Sequence, residues 1–366
     1  MSVLTDWYSI ENLDQVPSPQ LIIFPERVRF NIRAAVEMVG DPLRLRPHIK
    51  TNKTPEVVQL MLDAGIRKFK FATIEEGTLL GTVKAPDALM AYQPAGPRMQ
   101  QFIDLIQQFP DTAFACLVDD EQVVQALQDA AQKAGRVIPV YIDLNVGMNR
   151  TGIQPVKAFS LYRAITRMDR LVVKGLHAYD GHIRDLDMEV RRKRCDDAFT
   201  QVEAVKQQII EAGFPAPVVI AGGSPSFSVH AGRADVECSP GTFVYWDKGY
   251  GDICREQPFV HAALVVARVL SVPESGKATL DMGHKAIAAE NDITRRVKFL
   301  NAPDVPLISQ SEEHGVVELP AGMVLKPGDV LYGLPYHVCP TVNLYSRVYI
   351  VENHQARSGW SVAARH

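Results

Sequence analysis

The sequence predicts an α/β protein: a (β/α)8 TIM-type barrel with an appended C-terminal β domain. Three observations point there. From about residue 21 to 250, short β-rich runs alternate with longer segments of helical period, the pattern of repeated β–α units. Eight strand candidates occur in that stretch, the count of a closed barrel. After Gly251 the long helical patterns stop, and β-type runs punctuated by Pro, Gly and Asp replace them. A doubly wound open sheet is the competing arrangement, but no glycine-rich dinucleotide fingerprint follows an early strand.

In chain order, the barrel strand candidates are Leu21–Ile23, Leu43–Pro47, Lys68–Ala72, Ala88–Tyr92, Ala113–Val118, Val140–Leu144, Val172–Ala178 and Val218–Ala221. Helix candidates between them are Glu26–Val39, Pro55–Ala64, Arg98–Phe109, Glu121–Gly135, Val156–Met168 and Met188–Gly213. In the first helix Val28, Ile32, Ala35 and Val39 recur on one face. In the second domain Val260–Val272, Lys277–Met282, Gly315–Leu319, Asp329–Leu334 and Ser346–Glu352 read as strands. The expected domains are 21–250 and 251–366, with residues 1–20 folding back onto the second.

Length alone, 366 residues, exceeds one ordinary core. With 46% hydrophobic and 22% charged residues the composition is that of a soluble globular protein. Net charge is −3 and the basic residues are scattered, which argues against a nucleic-acid partner. No apolar run approaches the ~18 residues of a membrane helix, and the first residues lack the features of a signal peptide. Five cysteines without a CxxC pair suit free thiols in a reducing compartment. A cytoplasmic protein without a membrane partner is expected.

Four constellations carry chemistry. Arg46-Pro47-His48-Ile49-Lys50-Thr51-Asn52-Lys53 ends a β-type segment with a lysine. Held at a strand end and partly desolvated, Lys50 would be available as an amine nucleophile toward a carbonyl; taken alone, the octet reads rather as an ordinary solvated strand end. His177-Ala178-Tyr179-Asp180-Gly181-His182 places donors and acceptors after a later strand, and Ala221-Gly222-Gly223-Ser224-Pro225-Ser226 follows the last one. Adjacent glycines let backbone N–H groups approach an anion, and Ser224 adds a hydroxyl, so this loop suits a phosphate. A reactive lysine and a phosphate loop at one barrel mouth together describe pyridoxal phosphate. Finally, His337 and Cys339 lie two apart; on a strand they would share a face and offer zinc a nitrogen and a sulfur. His314, in Glu312-Glu313-His314-Gly315, is either a catalytic candidate or a turn residue.

On these residues the chain resembles the fold-type III pyridoxal-phosphate enzymes of the D-threonine aldolase and D-serine dehydratase family, which share a barrel with alanine racemase. Arg46-Pro-His-Ile-Lys50 is similar to the family's lysine motif, Gly175-Leu-His-Ala-Tyr-Asp-Gly181 to the mid-barrel motif, and Gly222-Gly223-Ser224 to the phosphate loop. Ser239-Pro-Gly-Thr-Phe243 with Asp247, Tyr250 and Gly251 also fits, as do Leu280-Asp-Met-Gly-His-Lys285 and Glu313-His-Gly-Val-Val317. The resemblance implies pyridoxal 5'-phosphate bound through Lys50, Tyr179, Gly222, Gly223, Ser224 and Tyr250. It also implies a divalent metal on His337 and Cys339 (zinc, with manganese or magnesium as alternatives), a D-amino acid substrate and a homodimer.

Two positions depart from the aldolase pattern. Aldolases carry aspartate where this chain has Cys339, the dehydratase-type ligand, and a basic histidine where it has Asp185; His182 stands three residues earlier. The expected reaction is retro-aldol cleavage of a D-β-hydroxy-α-amino acid to glycine and an aldehyde, with His182 or Asp185 as base. The alternative is elimination of water, as in D-serine and D-3-hydroxyaspartate dehydratases, giving a 2-oxo acid and ammonia. A racemase and a non-catalytic cofactor carrier are the rivals from other classes. The His-x-Cys pair argues against the first and the second domain against the second.

Overall fold

The computed structural model describes residues 6–365. The chain divides into two compact units: residues 33–50 with 58–241, and residues 6–32 with 51–57 and 242–365. The main division falls between Gly241 and Thr242 rather than at 250/251.

The first unit is a curled parallel sheet of seven strands in chain order: Lys68–Phe71, Asp87–Met90, Ala113–Val118, Ile138–Leu144, Leu171–Ala178, Val218–Ala221 and Val236–Cys238. Helices Ile74–Thr82, Pro97–Gln108, Glu121–Lys133, Pro155–Ile165 and Met188–Glu211 alternate with them. Several begin where the sequence supplies a cap. Thr73 accepts from the Glu76 amide, Asp120 from Gln122 and Val123, and Asp187 from Glu189 and Val190, each satisfying donors that a helix start leaves unpaired.

The segment expected as strand Leu43–Pro47 is not a regular strand. Pro42–Arg44 forms a 3-10 turn, and Pro47 brings no N–H. Residues 45–48 nevertheless lie between the last and first strands, because Leu45 bridges Cys238 and His48 bridges Lys70, both parallel. They act as the eighth stave.

The expected first barrel strand, Leu21–Ile23, belongs elsewhere. Gln20–Ile23 is a strand of the second unit's nine-stranded sheet, between Ala263–Ser271, antiparallel, and Arg347–Glu352, parallel. Leu21, Ile22 and Ile23 are all completely buried, worth on the order of 2 kcal/mol each. Such an unbroken apolar run fits either sheet equally. The barrel strand missed in the sequence is Val236–Cys238, three residues around the charged Glu237. In the second unit the five expected strands form, joined by Val297–Phe299, Leu307–Gln310 and Gln355–Ser361. Ile22, Phe24, Leu264, Val266, Leu334 and Val351 pack one face of its sheet.

Candidate active site

Lys50 sits in the 3-10 turn Ile49–Thr51, directly after the bridging stave. Its backbone N–H donates to His48 Nδ1 at 3.2 Å. The side chain is exposed, which corrects the expectation of a desolvated lysine at a strand end: the turn lifts the amine clear of the sheet. Lys53 is buried instead, with φ 53° and its Nζ donating to the Ala364 carbonyl at 3.1 Å. Its role is structural.

Two polar layers occupy the barrel interior. In the first, the fully buried Arg46 pairs with Asp87 and, at 2.8 Å, with Glu237, which also binds Lys68. Arg46 therefore stays charged despite its burial. In the second, Lys70 Nζ lies 3.2 Å from His177 Nε2, and His177 Nδ1 lies 2.6 Å from Asp143 Oδ1. Sequence reasoning missed Lys70 and Asp143. The signal was there, because Lys68 and Lys70 alternate with Phe69 and Phe71 along one strand, which puts both lysines on the same face.

Tyr179, Asp180 and the Gly222–Ser226 loop follow the carboxyl ends of neighbouring strands. A Cβ on Gly223 would come within 2.7 Å of the Tyr179 ring, and one on Gly181 within 2.3 Å, so both glycines are demanded by packing against that ring. Gly222 has φ +78°, and a Cβ there would meet His230 at 2.7 Å. Arg150 and Lys70 stand 4.8 and 5.7 Å from the Tyr179 ring centroid.

Beneath the loop Asp180 gathers three donors. Ser226 Oγ donates at 2.5 Å, His230 Nε2 at 2.8 Å, and the Cys195 thiol bonds to the same carboxylate. Ser226 Oγ in turn accepts from the Gly223 amide at 3.2 Å. Burial alone would raise the Asp180 carboxyl, but the bonds from His230 and Ser226 outweigh it and hold its pKa below the ordinary value. Burial pushes the Cys195 thiol up, so it stays protonated. Asp180, Cys195 and His230 are also the group of three metal-type donors that the described residues bring within 4.8 Å. With those groups already bonded to one another, the cluster acts as a hydrogen-bonded hub for the loop.

The two candidate bases are placed differently. Both Asp185 oxygens accept from Arg194, at 2.9 and 2.7 Å. His182 Nδ1 is buried without a hydrogen-bond partner among the described residues, and burial lowers the imidazole pKa. Burial thus favours the neutral form of His182.

In the second unit His337 is the N-cap of the short helix Val338–Asn343, and Cys339 lies in its first turn. The two are not on a strand, as the sequence reading had them; the chain turns into a helix after Pro335. Their side chains still meet. Burial alone would lower the His337 pKa, but hydrogen bonding to Cys339 and to Glu290, at 2.5 Å from Nδ1, raises it to about 9. Cys339 Sγ lies 3.2 Å from Thr51 Oγ1, the residue after Lys50, and 3.6 Å from Thr242 Oγ1. Asp247 accepts from the Tyr250 and Val338 amides at 2.9 and 3.0 Å. Desolvation nonetheless raises it to about 6. Tyr250 stacks on Trp246 at 6.1 Å. His314 is exposed in a turn where Ser311 N–H donates to its carbonyl.

These residues suit pyridoxal phosphate: an exposed amine, a tyrosine ring, and a Gly-Gly-Ser loop pinned from below, the loop and ring both at strand carboxyl ends. Comparison with known proteins agrees. The family described as "Alanine racemase, N-terminal domain" matches residues 23–248, and "Putative serine dehydratase domain" matches residues 262–351. The chain belongs to the first of these families, and with both matches to the fold-type III pyridoxal-phosphate enzymes of the D-threonine aldolase and D-serine dehydratase group. It is a pyridoxal-phosphate-dependent lyase. The 3-hydroxy-D-aspartate aldolase of Paracoccus denitrificans (strain Pd 1222) is 27% identical, over 96% of this chain and 92% of that one. The D-threo-3-hydroxyaspartate dehydratase of Delftia sp. (strain HT23) is 25% identical over 90% and 93%. The crystal structure of D-threonine aldolase from Filomicrobium marinum superposes with a TM-score of 0.87 at 25% identity, covering 96% of both chains. No helix among the described residues is long and apolar enough to cross a membrane.

Proposed function

We propose that the chain cleaves D-β-hydroxy-α-amino acids by retro-aldol reaction, giving glycine and an aldehyde. The observation that carries this reading is His182. Breaking Cα–Cβ from the hydroxyl side needs a base for the hydroxyl proton, and His182 offers an imidazole whose pKa burial lowers, with Nε2 the nitrogen left to take the proton because Nδ1 is buried. Asp185, occupied by Arg194, is assigned to holding the loop. Lys50 takes the cofactor's aldehyde, Gly222, Gly223 and Ser224 its phosphate, and Tyr179 and Tyr250 its ring. When bound, pyridoxal phosphate supplies the electron sink for the pair left on Cα.

His337 and Cys339 are assigned to a divalent metal, with zinc the best match to a nitrogen and a sulfur donor. When bound, the metal supplies a Lewis acid for the substrate hydroxyl. Glu290 at Nδ1 of His337 supports the assignment, because a carboxylate there orients the ring and leaves Nε2 for a metal. Exhaustive chelation is expected to abolish turnover, and zinc to restore it. His337→Ala and Cys339→Ser should each lower bound zinc, read by elemental analysis. Full activity in chelated protein would remove the assignment.

Elimination to a 2-oxo acid and ammonia is the second reading, favoured by Cys339 and by similarity to the Delftia dehydratase. Products decide between them. Purified protein with D-threonine, D-3-hydroxyaspartate, D-serine and D-phenylserine is expected to release glycine with the matching aldehyde. A 2-oxo acid with ammonia as the sole products would overturn the aldol reading.

A further inference from the structure

The turn that carries His337 and Cys339 is held by a residue that the proposed reaction leaves unused. Val338 stands between the two donors and opens the helix Val338–Asn343. The first N–H groups of a helix have no intrahelical partner, and the N-cap side chain ordinarily takes one of them. Here the N-cap is His337, which makes no such bond. Its imidazole is turned to Cys339 and Glu290 instead. The Val338 N–H goes to Asp247 Oδ2, 91 residues earlier in the chain, at 3.0 Å.

Asp247 also caps a helix of its own. It is the N-cap of Lys248–Ile253, and its Oδ1 accepts from the Tyr250 N–H at 2.9 Å. One carboxylate, only 2% exposed, therefore ties the starts of two helices together. The same segments meet again nearby, where the Gly249 N–H donates to the Tyr336 carbonyl at 3.1 Å. A Cβ on Gly249 would lie 2.5 Å from that oxygen, so this approach needs glycine. The two bonds, to Tyr336 and to Val338, fix the backbone on both sides of His337.

We propose that Asp247 is a positioning residue for the metal pair, clamping the His337–Cys339 turn to the turn that carries Tyr250. With the His337 side chain assigned to a metal, the cap bond it leaves unmade comes from elsewhere in the fold, and Asp247 supplies it. A carboxylate can serve both helices because it accepts at two oxygens, whereas an asparagine accepts at one and turns an NH2 toward the other N–H. This rests on the reading of His337 and Cys339 as metal donors.

The test is the zinc affinity of full-length protein that carries pyridoxal phosphate and has been stripped of metal, read by competition with a zinc-binding dye. Asp247→Asn separates the clamp from ordinary capping. Asparagine caps a helix about as well as aspartate, so the bond from Tyr250 is kept while the bond from Val338 is lost. Zinc is expected to bind about 10–100-fold more weakly, the usual cost of losing a partner that orients a metal ligand. Val338→Pro removes the same bond from the donor side. Proline is accepted at the first helical position, and His337 before it is extended, with φ −138° and ψ 101°, as a residue preceding proline prefers. Its zinc affinity should fall by a similar factor. The double variant should bind no more weakly than the weaker single one, since both changes delete one bond. Unchanged zinc affinity in folded Asp247→Asn or Val338→Pro, or additive losses in the double variant, would each overturn the proposal. His337→Ala tells the two layers apart. If that variant binds zinc as wild type does, the reading of the metal pair fails and the proposal with it; if it loses zinc while Asp247→Asn keeps it, only the proposal fails.

Discussion

Lys50→Ala should yield a folded protein that shows no visible absorption from covalently bound cofactor and has lost at least about 10³-fold in turnover. The stability half of this expectation comes from where the side chain lies. Lys50 is exposed, and the turn is held by its backbone N–H bonded to His48, which alanine keeps. Thermal unfolding should therefore be within about 0.5 kcal/mol of wild type, as for surface substitutions generally. The functional half comes from the chemistry: the buried amines, Lys53 and Lys70, are engaged by Ala364 and by His177. Absorbance spectra, product assay and thermal melting on one preparation check all three points. A variant retaining both the band and turnover would require another lysine to carry the cofactor.

The architecture was legible because its period is. Strands such as Ala113–Val118 and Leu171–Ala178 are bounded by capped amphipathic helices, and the caps at Asp120 and Asp187 are visible as residue types. Two of the departures trace to how burial is written in the sequence. Barrel interiors admit charge when it is paired, so Val236–Cys238, with Glu237 turned toward Arg46 and Lys68, does not read as a core strand. Conversely Leu21–Ile23, buried throughout, has no alternation that would assign it to one sheet.

The residues proposed to hold the cofactor, Lys50, Tyr179 and Gly222-Gly223-Ser224, stand in short motifs that can be read directly from the sequence. The site was not legible where side chains from distant strands converge. Lys70 and His177 are 107 residues apart, and His177 and Asp143 are 34 apart; no local pattern announces such a ladder. The ion pair that engages Asp185 likewise involves Arg194, nine residues beyond it. At His337 and Cys339 the sequence argument assumed a strand, and the helix start at Val338 brings the two side chains together by a different local geometry.

Asp180→Ala is expected to have the largest effect on stability and to loosen the phosphate loop with it. Asp180 is 3% exposed and holds Ser226, His230 and Cys195. Deleting the carboxylate leaves those buried donors unsatisfied, at about 1–3 kcal/mol for each group that finds no substitute. A net loss of about 3–5 kcal/mol follows, in the range for breaking one side of a buried charged network. Ser226 is also the acceptor for the Gly223 amide, so pyridoxal phosphate should dissociate faster from whatever variant protein remains folded. Asp180→Asn keeps the volume and one acceptor but turns an NH2 toward a donor, and should fall between alanine and wild type. The pH dependence has a definite sign. The folded pKa of Asp180 lies below its ordinary 3.8, so the hub's contribution is present above that value and is lost as pH falls through the folded pKa. Wild-type protein should therefore lose unfolding free energy below about pH 4, and Asp180→Ala should show a flatter decline across that window. Denaturant unfolding from pH 6 to 3 measures both slopes. Parallel slopes would mean that the carboxylate is not the group through which the hub holds the loop.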